Sequence, residues 1–228
     1  MKFLFAFLVL LLLAAADDFT DLDLPVDPTY RKAEPIIEEP PEVVIPEPPP
    51  PPEVDWFGEK VVIPGGVVFI IDKSGSMSHS WDKTRSRLQV AVQETIRSVK
   101  ELRADAKFDV MAFSSHMVVL WGKVREASDA AKDEAIAWLE GLGAGGGTDT
   151  GTFTTWALVN YGHSGQAKDF LLLSDGSPSR AAEALKMIAG ADTSKTKVHT
   201  FSVDQSSSGE EWMKECAAVT GGTFRQVR

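Results

Sequence analysis

From residue 61 onward, short apolar runs alternate with stretches whose apolar residues recur every three or four positions. Strands and helices that take turns in this way build an α/β sheet. Val67, Val68, Phe69, Ile70 and Ile71 form a run with no polar alternation, as a strand buried on both faces requires. Leu88, Ala91, Val92, Ile96, Val99 and Leu102 then recur at helical spacing and predict an amphipathic helix. Phe108 to Ser114 reads as the next strand, and Ser115-His116 turns the chain into a short antiparallel partner, Met117 to Trp121. Ser128 is a suitable N-cap for a helix carrying Ala131, Ala135, Trp138, Leu139 and Leu142, which Gly141 or Gly143 ends. Thr152 to Val159 predicts a short helix and Phe170 to Leu173 a buried strand. Ser177-Pro178 offers an N-cap followed by proline at the first helical position, with Gly190 closing that helix. Val198 to Val203 is a further strand, Glu210 to Thr220 a helix burying Trp212, Cys216 and Val219, and Thr223 to Val227 a last strand. Val54 to Pro64 precedes all of this as an edge strand or a packed arm. The fold class is α/β: an open, mostly parallel central sheet with helices on both faces and one antiparallel edge strand.

The first sixty residues are different material. Lys2 precedes an uninterrupted apolar run from Phe3 to Leu13, followed by three alanines and then Asp17-Asp18. This describes a secretory signal peptide cut after Ala16, too short to span a bilayer. The expectation is export, secreted or periplasmic, with no membrane span in the mature chain. Eleven of the thirteen prolines lie between Pro25 and Pro52, interleaved with glutamates, so residues 17–53 read as a disordered, semi-rigid spacer. Chance P-x-x-P matches in such a run do not make it a recognition ligand. The folded domain is expected over residues 54–228.

Charge sharpens that division. Residues 17–60 carry 13 acidic and 3 basic side chains, whereas residues 61–228 carry 20 and 19. The domain is nearly neutral and lacks the basic surface that nucleic-acid binding needs. Cys216 is the single cysteine, so no intrachain disulfide is possible and a buried thiol is expected.

Chemistry concentrates where the first buried run breaks into Asp72-Lys73-Ser74-Gly75-Ser76. An extended segment points Asp72, Ser74 and Ser76 the same way, while Lys73 faces solvent. One carboxylate and two hydroxyls form a hard oxygen cluster that suits Mg²⁺ or Mn²⁺ better than Zn²⁺. A polar turn capping the next helix is the ordinary alternative for these five residues. Gly145-Gly146-Gly147-Thr148-Asp149 and Leu171-Leu172-Leu173-Ser174-Asp175-Gly176 are the other two loops of interest. Loops at the carboxyl ends of strands near a switch point can converge.

The pattern D-x-S-x-S-M, then G-G-T-D, then S-D-G resembles the von Willebrand factor type A (VWA) domain and its metal-ion-dependent adhesion site (MIDAS). The resemblance implies a Rossmann-like sheet and a metal site of Asp72, Ser74, Ser76, Thr148 and Asp175, with Asp149 acting through water or as an outer acceptor. It implies Mg²⁺, or Mn²⁺ or Ca²⁺, with a coordination position left for an Asp or Glu of a protein partner. No catalysis is expected, because nothing beyond Asp149, His79 or His116 suggests a general base. Members that switch affinity carry a helix after the last strand. This chain stops at Arg228, and Val54–Ile63 or a partner is expected to fill the groove that such a helix covers.

Other motifs carry less. Gly141 to Gly146 satisfies G-x-G-x-x-G, but a helix rather than a strand precedes it, so no dinucleotide site is expected. Asp204 to Gly209 with Glu215 has the spacing of a calcium loop, yet serines replace its charged ligands, and a loop ending in Ser208 as N-cap explains it. His79, His116, His163 and His199 have no ligand spacing, and His79 and His116, which could lie near the top face, read as polar surface. Two alternatives stand beside partner binding: a structural envelope or matrix module with a vestigial site, and a metal-assisted hydrolase using Asp149, His79 or His116.

Overall fold

A computed structural model describes residues 47–176, 178, 180–191, 196–203 and 207–227. The signal-peptide region, the spacer up to residue 46, Ser177 and Asp204 lie outside the described residues. The chain from Pro48 onward forms one compact unit.

β3 (Gly66–Asp72) is buried at every position and occupies the middle of the sheet. It pairs in parallel with β4 (Lys107–Phe113) on one side and with β7 (Asp169–Ser174) on the other. β8 (Lys197–Ser202) and β9 (Phe224–Gln226) extend the β7 side, also in parallel. β5 (Met117–Val119) lies antiparallel on the far side of β4, as the turn at Ser115-His116 predicts. A two-residue β6 (Arg125–Glu126) pairs antiparallel with the start of β4 on that same edge. Both its residues are exposed, so no hydrophobic pattern announces it.

Alternation along the strands sorts the core onto two faces. Val67, Phe69 and Ile71 meet α1 (Arg87–Glu101) and α2 (Asp129–Glu140), while Val68 and Ile70 face the opposite layer. That layer contains α3 (Thr150–Ala157), α4 (Ala181–Gly190) and α5 (Ser207–Thr220). Ser128 caps α2 as predicted, through a 3.3 Å hydrogen bond from Ala131 N–H, and Gly141 ends it. α3 starts two residues earlier than its apolar pattern suggests and passes into a π-helical turn, Leu158–Gly162.

Three local expectations are corrected. α4 begins at Ala181, with Arg180 at its N-cap, because Pro178 is buried in the preceding loop instead of opening the helix. Ser208 lies inside α5, which begins at Ser207. Val219 is 43% exposed, about a third of a turn from the centre of a buried stripe formed by Met213, Cys216, Ala217 and Thr220. Cys216 is fully buried, and burial pushes its thiol up to about 12.

The segment before the sheet is a packed arm, not an edge strand. β1 (Glu53–Trp56) and β2 (Glu59–Val62) form a separate antiparallel hairpin. Its Trp56 is fully buried edge-on against Phe69 and Phe201, with ring centroids 5.5 and 4.6 Å away. The turn places Phe57 at φ 51° and Gly58 at φ 74°, a conformation that bulky side chains rarely adopt. α1 holds it there: Phe57 N–H donates to Glu94 at 2.5 Å, Ser98 donates to Asp55 O at 2.5 Å, and Arg97 bonds Asp55 at 2.7 Å.

Trp56→Ala empties this site and is expected to cost about 3–5 kcal/mol, as large-to-small aromatic changes in cores do. Trp56→Phe keeps a ring and removes a buried Nε1–H that has no hydrogen-bond partner among the described residues, so it costs less. Urea unfolding of the two variants checks the order; equal, small losses would show that the hairpin is not part of the core.

Candidate metal centre

The switch in strand order falls beside β3, so the loops leaving β3, β4 and β7 meet above its carboxyl end. Asp72 is the last residue of β3 and has no solvent exposure. After it the chain makes a short 3₁₀ turn, Gly75–Ser78, anchored by the buried Met77. Backbone hydrogen bonds then tie the glycine-rich loop to its neighbours. Gly145 N–H donates to Lys73 O at 2.8 Å, Gly75 N–H to Gly146 O at 2.9 Å, and Asp149 N–H to Ser114 O at 3.3 Å. Gly147 N–H also donates to Ser115 Oγ at 2.7 Å. Gly146 has φ 85°, and an added Cβ would sit 3.1 Å from Ser115 Oγ and 3.2 Å from Ser114 Oγ. Only glycine suits that position.

Four of the five predicted residues form one connected hydrogen-bonded chain. Asp72 Oδ1 accepts from Ser74 N–H at 2.8 Å, and Asp72 Oδ2 accepts from Ser174 Oγ at 2.6 Å. Ser74 Oγ and Ser76 Oγ are 3.1 Å apart, and Ser76 Oγ donates to Asp175 Oδ1 at 2.8 Å. Thr148 stands on the glycine-rich loop and lines a cavity of about 240 Å³, together with Asp149, Thr152, Pro178, Arg180 and Met187. Asp149 serves as the N-cap of α3, accepting from Thr152 N–H at 3.4 Å. Lys73 does not simply face solvent. It is half-buried, with Nζ 3.5 Å from Ser114 Oγ. His79 and His116 are exposed, but His199 is buried on β8 between Thr223 and Asp169.

Two participants stand outside the expected ligand set. Ser174, which precedes the predicted Asp175, orients Asp72. Arg87, the first residue of α1, places Nη1 2.6 Å from Asp175 Oδ2. It lies eleven residues beyond Ser76 in a polar stretch where neither periodicity nor spacing marks it.

Burial dominates the electrostatics. Desolvation pushes the Asp72 carboxyl from 3.8 up to about 6, against the lowering effect of hydrogen bonds from Ser174 and Ser74, and nearby Asp175 pushes it further up. Among the described residues no three His, Cys, Asp or Glu side chains cluster as a metal site, so any ion here rests on two carboxylates plus hydroxyls. That donor set fits a small oxygen-preferring dication, and the desolvated Asp72 favours a nearby positive charge.

The sign of the resulting pH dependence follows from a folded pKa above the unfolded one. In EDTA, the Asp72 contribution to stability is fully present below about pH 4 and is lost as pH rises through about 6. By pH 7 the ionised carboxylate costs about 3 kcal/mol. Asp72→Asn is therefore expected to raise the melting temperature at pH 7 in EDTA, with the gain shrinking towards pH 4. Equal melting temperatures at pH 7 would contradict this.

A family profile described as the von Willebrand factor type A domain matches residues 65–226. The human von Willebrand factor A domain-containing protein 3A is 26% identical over 169 residues, which span 72% of this chain and 13% of that protein. A von Willebrand factor type A structure from Catenulispora acidiphila superposes with TM-score 0.62 at 23% identity, covering 74% of this chain and 40% of that one. Proximal thread matrix protein 1 from the mussel byssus, solved with a zinc-occupied MIDAS motif, has TM-score 0.54 at 13% identity, covering 71% of this chain and 43% of that one. At such identities the structural likeness speaks for the fold, whereas the profile match spans most of the chain. By that match and the sheet that accompanies it, the chain belongs to the von Willebrand factor type A domain family.

Proposed function

We propose that this domain is an exported, cation-dependent protein-binding module that captures an acidic side chain of its partner. VWA domains are generally interaction modules and often hold a divalent metal at a MIDAS. The observation that carries the reading is the chain of hydrogen bonds joining Asp72, Ser74, Ser76 and Asp175 across two loops distant in sequence. Asp72 and Asp175 supply charge, Ser74, Ser76 and Thr148 supply neutral oxygens, and the neighbouring loops hold these groups in place. A bound Mg²⁺, Mn²⁺ or Ca²⁺ supplies Lewis acidity for an incoming carboxylate. Ser174 keeps the Asp72 carboxylate oriented, and Asp149 braces the start of the helix behind Thr148.

Binding is favoured over hydrolysis because Asp72, Asp149 and Asp175 are all engaged as hydrogen-bond acceptors. The set offers ligands to a cation more readily than a free base to a substrate. Export rests on the pattern of residues 1–16, with residues 17–53 as the spacer before a domain over 54–228. No described helix is long and apolar enough to cross a membrane. The secreted or periplasmic destination and the acidic partner both belong to this proposal.

Calorimetric titration of the full chain with Mg²⁺ and with Mn²⁺ tests the site. Saturable binding is expected in the wild type and should be lost in Asp72→Ala. EDTA should also abolish capture of acidic peptides. Binding that survives in Asp72→Ala would place the ion elsewhere.

A further inference from the structure

Arg87 is an unusual residue for its position. It opens α1 at the positive end of the helix dipole, where the first turn carries no acidic residue. The helix start is well made without it. Ser86 accepts from Gln89 N–H at 3.2 Å, while the Gln89 side chain accepts from Ser86 N–H at 2.8 Å, a complete capping box. Arg87 N–H itself donates to His79 O at 3.0 Å, so the backbone is held at the rim of the candidate site. A cation placed against the local dipole, on a helix already capped, has a role outside the helix.

That role is visible at Asp175. Its carboxylate is 3% exposed, and its two oxygens are divided between two partners. Oδ1 accepts from Ser76 at 2.8 Å and Oδ2 from Arg87 at 2.6 Å. The guanidinium is only 19% exposed, so water screens this pair weakly. Asp72 and Asp175 bring two negative charges to the centre, and Arg87 returns one of them.

We infer that Arg87 is a charge-setting and positioning residue that makes the centre hold its cation less tightly but leaves that cation a stronger acceptor for a partner carboxylate. The inference rests on the metal-centre reading above. With Arg87 in place, its guanidinium offsets carboxylate charge beside the dication, so an incoming carboxylate meets a more positive centre than it would without Arg87. Without it, Asp72 and Asp175 cancel the dication by themselves and the carboxylate gains less. Arg87 also occupies Asp175 Oδ2, so Asp175 presents its Oδ1 edge beside Ser76 rather than both oxygens at once.

The test uses Mn²⁺ and acetate as probes on the full chain, with circular dichroism confirming that each variant is folded. Mn²⁺ affinity is read by calorimetry, and acetate binding by the water-proton relaxation of protein-bound Mn²⁺. Arg87→Gln is expected to bind Mn²⁺ about tenfold tighter, and its Mn²⁺-loaded form to bind acetate about tenfold more weakly. Arg87→Lys keeps the charge and loses the planar fork, so its Mn²⁺ affinity should stay within about twofold of wild type. Unchanged or weaker Mn²⁺ binding in Arg87→Gln, or unchanged acetate binding, would overturn the inference while leaving the metal centre standing. Equal tightening in Arg87→Gln and Arg87→Lys would overturn the charge argument as well. A wild type that binds no Mn²⁺ would remove both the inference and the reading beneath it.

Discussion

A carboxylate with no solvent exposure sits at the end of the most deeply buried strand, and the surrounding loops are arranged to make that tolerable. Burying an ion without compensation is prohibitive, and a protein answers with hydrogen bonds, a shifted pKa or a counter-charge. Asp72 shows the first two. Ser74 N–H and Ser174 Oγ bond its two oxygens, and its carboxyl is still pushed up to about 6. The third answer, a cation, is what the neighbouring oxygens are suited to hold. The glycine-rich loop is fixed by the same constraint. Gly146 O accepts from Gly75 N–H of the first loop, while Ser114 and Ser115 of the loop after β4 crowd the place of a Cβ at residue 146, whose φ of 85° suits glycine.

α1 connects this centre to the opposite end of the domain. Its first residue, Arg87, reaches Asp175, while Glu94, Arg97 and Ser98 clamp the hairpin that precedes the sheet. The hairpin in turn drives Trp56 between Phe69 and Phe201, beneath the strand that ends in Asp72. Packing, helix register and the electrostatics of the site therefore share one helix. A shift of α1 along its axis would be felt at both ends.

Much of this was legible in the sequence because it is written in strong local signals. The unbroken run Val67–Ile71 marks a strand buried on both faces, and the alternation of its side chains between two helical layers follows from strand geometry. Asp72, Ser74, Ser76 and Asp175 were legible as a set because a motif ties them together, and the structure joins them by hydrogen bonds. The missed features are those decided by tertiary contact. Arg87 is an ordinary charged residue in a polar stretch until the fold sets it against Asp175. His199 lies in a predicted strand, but no local pattern announces that its ring meets Asp169 once β8 is paired. Pro178 resembles a helix start, yet burial in the loop beside Thr148 overrides that local preference. The two-residue β6 has no hydrophobic signal at all.

The most direct measurement is anomalous diffraction from crystals of this protein soaked in Mn²⁺. A single strong peak enclosed by Asp72, Ser74 and Ser76, with Thr148 and Asp175 around it, is the predicted result. A Mn²⁺-saturated crystal with no peak there, or with its peak at a different group of side chains, would contradict the central claim.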